Sequence, residues 1–294
     1  MWRKTVIIRG MSRISLSVME WSRSGFPLAM IHGLGDASGI WNHLAIRISQ
    51  QFRVAAVDLR GHGDSDWDPE AKYDSATFVG DFAEVASALD FERMVVIGHS
   101  LGADVAIRFA AAHPLRVAAL IVVDFGPELQ KEGVDEVVRG LAAMPRDFAT
   151  VQDYEQWLVE RRPLADSTVL RQFARTCLRQ TKNGWAPKAD MALATYPEFS
   201  RSVASDGRYR NLELWPLLAG IRCPTLVVRG GASGVFPIDA ANRMVERTLW
   251  KGQLATVPAA GHAVMLDNPA EFSAVVIRFL SREFKTSSKL NVAN

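Results

Sequence analysis

The chain has 294 residues, 48% of them hydrophobic, and its 34 basic and 32 acidic side chains leave a formal charge of +2. That is enough apolar material for one large core and excludes a disordered chain. With no basic run longer than a pair, the sequence carries no nucleic-acid or polybasic membrane footprint, so the expected partner is a small molecule.

Cys177 and Cys223 form neither a CxxC pair nor a disulfide framework and read as small buried hydrophobes in a reducing compartment. The opening residues, 1–13, alternate and lack the continuous apolar segment of a signal peptide. No apolar run reaches membrane-spanning length. The expectation is a soluble, cytoplasmic protein.

Runs of strand length rich in Val, Ile, Leu and Ala recur at 27–32, 53–59, 94–98, 117–124, 225–229 and 253–257, and read as buried parallel strands. Amphipathic segments of helical length fall at 40–49, 77–89, 101–112, 238–246 and 269–284. This alternation predicts an α/β fold, a mostly parallel, doubly wound open sheet. In 126–216, helical patterns such as 151–161 and 168–180 follow one another without a convincing strand. They predict a helical lid over a core made of 1–125 and 217–284. Residues 285–294 turn polar and read as a flexible tail. Ligand sites favour aromatic walls, which makes Trp157 and Trp185 of the lid, with His32 and Trp41 of the core, the candidate pocket residues.

Gly98-His99-Ser100-Leu101-Gly102 has the form GxSxG, a spacing that chance alone gives in about one such chain in ten. Context sharpens it. The motif lies between a strand pattern and a helical one, which puts Ser100 on a tight strand-to-helix turn with its hydroxyl raised above the sheet. The next amide, that of Leu101, then faces an oxygen that becomes negative during acyl transfer. After the strand at 27–32, the loop His32-Gly33-Leu34-Gly35 can supply a second donor, the amide of Leu34. His262 follows the run at 253–257 and precedes the last helix, so its ring can hang over the strand ends as general base. His43, His62, His99 and His113 read as capping or core residues, with the side chain of His99 pointing away from the site.

Taken in order, HGLGD, DLRGHGDSD, GHSLG, CPTLVVRGG and PAAGHAVMLDNP resemble the α/β-hydrolase superfamily from about residue 26 to 284. The resemblance implies the α/β-hydrolase fold and a serine hydrolase with Ser100 as nucleophile and His262 as base; with no HExxH and no clustered His/Cys ligand set in the sequence, no metal or cofactor is expected. It also implies an acid after the seventh strand, but there the chain reads Arg229-Gly230-Gly231-Ala232-Ser233-Gly234-Val235, with Gly234 in the acid's place. Some dehalogenases and coelenterazine-type luciferases of this fold carry the acid at the end of the sixth strand, where this chain has Asp124. Asp124 is therefore chosen over Asp239, which suits a helix start, and Asp267, which suits a cap.

The expected activity is cleavage of an ester, thioester or lactone, with a hydrophobic acyl substrate. Two alternatives use the same shell: an acyltransferase or cyclase with the same triad, and a non-catalytic ligand-binding protein. Gly33, Gly35 and Gly39, followed by Asp58, also imitate a dinucleotide fingerprint, but that reading leaves GHSLG and His262 without a role.

Overall fold

The computed structural model describes residues 1–9, 13–195 and 204–284; the expected tail, 285–294, lies outside the described residues. In chain order the first part comprises β1 (Trp2–Arg9), β2 (Arg13–Glu20), β3 (Phe26–Ile31), α1 (Asn42–Ile48), β4 (Phe52–Val57), α2 (Ser75–Ala88), β5 (Met94–His99), α3 (Leu101–Ala112) and β6 (Val117–Val123). Next come β7 (Glu128–Gln130), α4 (Lys131–Ala142), α5 (Val151–Arg161), α6 (Ser167–Ala174), β8 (Leu178–Thr181), β9 (Gly184–Pro187), β10 (Arg208–Arg210) and α7 (Leu214–Gly220). The chain then returns to the sheet with β11 (Thr225–Gly230), α8 (Ile238–Arg243), β12 (Gly252–Val257), the single turn α9 (Val264–Asp267) and α10 (Pro269–Glu283).

Eight strands make one sheet in the order β1-β2-β4-β3-β5-β6-β11-β12. Strands from β4 to β12 run parallel, while β2 and β1 extend the edge antiparallel. Every residue of β5 and β6 is buried, as expected for central strands covered by helices on both faces. This is the α/β-hydrolase architecture expected from the sequence. Among the described residues, no helix is long and apolar enough to cross a membrane.

Two regions differ from the sequence reading. The N-terminal stretch is the β1–β2 hairpin, and its alternation was the strand signal: Ile14, Leu16 and Val18 face the core in turn. The insertion at 126–216 is not all helix. The helical pattern at 168–180 stops at Ala174, where Thr176 Oγ1 donates back to the Phe173 carbonyl. The chain then turns into the β8–β9 hairpin, closed through Gly184 at φ +138°. A short β7–β10 ladder joins the two ends of the insertion. Helix α5 does form as expected: Thr150 and Asp153 make a reciprocal capping box at its start, which fixes where its last residues project.

Candidate active site

At the C-terminal end of β5 the chain must reverse direction into α3 within one residue. Ser100 does this at φ +52° and ψ −119°, a conformation that costs about 1–3 kcal/mol and persists only where the surroundings enforce it. A Cβ at Gly98 would lie 2.2 Å from the Gly102 carbonyl oxygen, and one at Gly102 would lie 2.3 Å from that of Ile31. Neither position admits a side chain, so the two glycines let the turn close against its neighbour strand.

The next strand end carries Asp124, also in the left-handed region at φ +50°, which aspartate tolerates better than most residues. Its carboxylate is completely buried. Oδ1 accepts from the Gly230 amide at 2.9 Å and Oδ2 from the Ser233 hydroxyl at 2.5 Å, so the negative charge is shared among donors rather than stranded.

His262 lies in the loop after β12 and bridges the other two. Its Nδ1 is 2.8 Å from Asp124 Oδ2 and its Nε2 is 3.0 Å from Ser100 Oγ. An ionised carboxylate can only accept, so the compatible tautomer carries its proton on Nδ1 and leaves Nε2 to accept from the serine hydroxyl. Asp239 instead pairs with Arg208 at the surface. Asp267 accepts from the Gly261 amide at 2.7 Å, and burial raises its pKa; it helps hold the histidine loop.

The His99 ring does not point away from the site. Its Nε2 donates to the His262 carbonyl at 2.9 Å, and the two ring centroids are 4.8 Å apart. Burial, and then the charge of His262, pull its pKa down to about 3, which keeps this brace neutral.

A cavity of about 260 Å³ opens beside Ser100 and His262. Its far wall is contributed by α4, α5 and α6, with Leu141, Trp157, Leu158 and Phe173 facing inward. Leu34 lines it from the β3 loop. Leu101 opens α3, so its amide has no partner inside the helix. Of the two residues expected to donate to a developing oxyanion, Leu34 thus borders the cavity and Leu101 directly follows Ser100 in the chain.

Of the four expected pocket residues, only Trp157 lines this cavity. His32 is fully buried below it, with Nδ1 donating to the Gly33 carbonyl and Nε2 accepting from the Leu59 amide; it ties two strand ends together. Trp41 is buried against Phe272 of α10, because the turn before α1 packs onto the sheet. Trp185 sits on β9 beside Phe148 and borders a separate shallow depression with Thr150 and Arg175. The sequence reading also missed the charged part of the wall. Arg161 and Arg162, at the end of α5, line the cavity together with Asp36.

The pattern of the alpha/beta hydrolase fold family matches residues 27–269. The 2-(acetamidomethylene)succinate hydrolase of Mesorhizobium japonicum is 29% identical over 91% of this chain and 92% of its own. A pimeloyl-[acyl-carrier protein] methyl ester esterase of Pseudoalteromonas atlantica is 28% identical over 85% of this chain and 92% of its own. The crystal structure of an E-2-(acetamidomethylene)succinate hydrolase superposes with a TM-score of 0.83 at 28% identity, covering 95% of this chain and 99% of that one.

Proposed function

The chain belongs to the alpha/beta hydrolase fold family, and from that membership and the geometry above we propose that it cleaves a carboxylic ester, thioester or lactone through an acyl-enzyme on Ser100. The observation that carries this reading is the unbroken chain of hydrogen bonds from Asp124 through His262 to Ser100. Relatives named as a hydrolase and as a methyl ester esterase support the same reaction class.

In this mechanism Ser100 Oγ attacks the acyl carbonyl carbon while its proton passes to His262 Nε2. Asp124 holds the ring in the required tautomer and stabilises the imidazolium. The amides of Leu34 and Leu101 receive the oxyanion of the tetrahedral intermediate. As that intermediate collapses, the bond to the leaving group breaks and His262 returns the proton to it, leaving the acyl group on Ser100. Water then enters; His262 takes its proton as the new carbon–oxygen bond forms, and the second collapse frees the acid and restores the serine hydroxyl. The insertion at 126–216 serves as a lid that shapes the acyl pocket.

The test is a panel of p-nitrophenyl esters, acyl-thioesters and lactones assayed on wild type and Ser100→Ala in parallel, together with labelling by a fluorophosphonate. Turnover and labelling confined to the wild type are expected. Equal turnover in both proteins rules out Ser100 as nucleophile, and a wild type that neither turns over nor labels favours a ligand-binding protein on the same shell.

A further inference from the structure

The cavity beside Ser100 is walled largely by apolar side chains, yet two consecutive arginines border it. Helix α5 delivers both: Arg161 is its last residue and Arg162 its C-cap. Arg161 lies over the Trp157 ring and donates to the Trp157 carbonyl, so its packing is accounted for.

Arg162 also lies over a ring, that of Phe173, but its hydrogen bonding is different. Its Nη2 donates to Asp36 Oδ1 at 2.6 Å, and no other acceptor meets its side chain among the described residues; Nη1 is enclosed without a partner. Burial works against its charge, but Asp36 outweighs it and raises the arginine's pKa. Asp36, in turn, is held below the usual carboxylate range despite its burial, chiefly by Arg162. The carboxylate therefore fixes and orients the guanidinium while engaging one edge of it.

The carboxylates nearby do not compete for what remains. Asp36 Oδ2 faces His99 Nδ1 at 3.8 Å. Asp267 is occupied by the Gly261 amide and makes no ion pair with Arg162 among the described residues. Glu136, at the mouth, is paired with Arg139. A neutral chain entering this cavity would drive the guanidinium further from water with donors unsatisfied, whereas a carboxylate would fill them with charge-assisted bonds in surroundings of low dielectric. Carboxylate and phosphate both match the arginine fork, and a planar carboxylate is the smaller of the two for a cavity of about 260 Å³.

We propose that Arg162, oriented by Asp36, is an anion-recognising specificity residue, and that the substrate carries a carboxylate besides the acyl bond that Ser100 attacks. This deepens the hydrolase reading, on which its kinetic test rests.

The experiment compares matched esters that differ by one carboxylate. On the acyl side, p-nitrophenyl hemiesters of succinate, glutarate and adipate are set against the butyrate, valerate and hexanoate esters; on the leaving-group side, 4-acetoxybenzoate is set against phenyl acetate. The wild type should prefer the carboxylate member of at least one pair by about 10- to 100-fold in kcat/KM, the factor that a hydrogen-bonded charge commonly supplies. Arg162→Met should bring that ratio near one and Arg162→Lys should keep part of it. The pair Arg162→Met with Asp36→Asn, which leaves no carboxylate stranded, guards against misfolding of the single variant. Binding is read separately by titrating Ser100→Ala with succinate, glutarate and adipate in a calorimeter, with and without Arg162→Met. Binding that needs Arg162, without turnover of any ester, supports the subsite and sinks the hydrolase reading. Turnover with no preference in any pair, a preference that survives both Arg162 variants, or absence of both preference and binding overturns the subsite.

Discussion

The hydroxyl of Ser233 donates to Oδ2 of Asp124 at 2.5 Å, from the residue directly before the glycine that stands where related folds ordinarily carry their acid. The loop after β11 thus supplies a hydrogen bond to a carboxylate rather than the carboxylate itself. Ser233 Oγ is fixed for this by accepting from the amides of Val235 and Phe236 at 3.1 and 3.2 Å. Ser233→Ala should lower kcat by about 10-fold, the effect of roughly one hydrogen bond to a charged group, and Ser233→Thr should retain most of the activity. An alanine variant with unchanged kcat would show that the hydroxyl only closes its own loop.

Asp124→Asn should lower kcat by about 10⁴, the cost of losing the correct tautomer in a well-studied triad. A Cβ at Gly234 would meet no heavy atom within 4 Å, so the backbone there has room to start the side chain of Gly234→Asp. In the Asp124→Asn background it should recover part of the rate. Near-normal turnover in Asp124→Asn alone would leave a Ser-His dyad as the working unit.

Ser100→Ala and His262→Ala should each remove most turnover, and the double variant should be scarcely worse than either, because nucleophile and base act as one device. Steady-state rates of the three variants decide it; losses that multiply would mean that the two residues work independently.

Acid should weaken the fold through histidines that are buried neutral. Burial, with the charge of a neighbouring histidine second, pulls His62 and His99 down to about 3, whereas in the unfolded chain each titrates near 6.5. Between those pH values the unfolded chain holds protons that the folded one refuses, so stability rises with pH. The contribution is complete above about pH 6.5 and falls as pH drops toward 3, by up to about 1.4 kcal/mol per pH unit for each histidine. Urea unfolding between pH 6.5 and 4 should show a slope smaller by about one proton in His62→Gln. An identical slope would mean that His62 is protonated in the folded state.

Much of this arrangement was legible because it is local. The GHSLG turn sits between a buried strand and an amphipathic helix, and those few residues fix the direction of Ser100. That Asp124 stands beside His262 follows from β6 being the neighbour of β11, a consequence of strand order. The cavity wall was not legible. Trp157 and Trp185 have equal claim by type, and only the hairpin at 178–187, hidden inside a helical pattern, sends one of them to another surface. Arg162 and Asp36 are far apart in sequence, so no periodicity links them. The His99 ring direction depends on the backbone of a loop that arrives from β12.

The cavity's far wall, from Glu136 to Phe173, comes from 126–216, while Ser100, Asp124 and His262 all lie outside that segment. In the proposed reaction, chemistry and selectivity therefore fall on separable stretches of chain. On that reading, exchanging the segment between the end of β6 and the start of β11 with that of a relative should change which substrates are accepted while the Ser100, His262 and Asp124 positions stay in place. The ion pair of Asp36 with Arg162 straddles that seam. A transplanted segment without an arginine at that place would leave the buried Asp36 carboxylate alone, just as a segment with another residue at 128 would unpair Arg243 from the buried Glu128, so an exchange has to carry both partners of each pair.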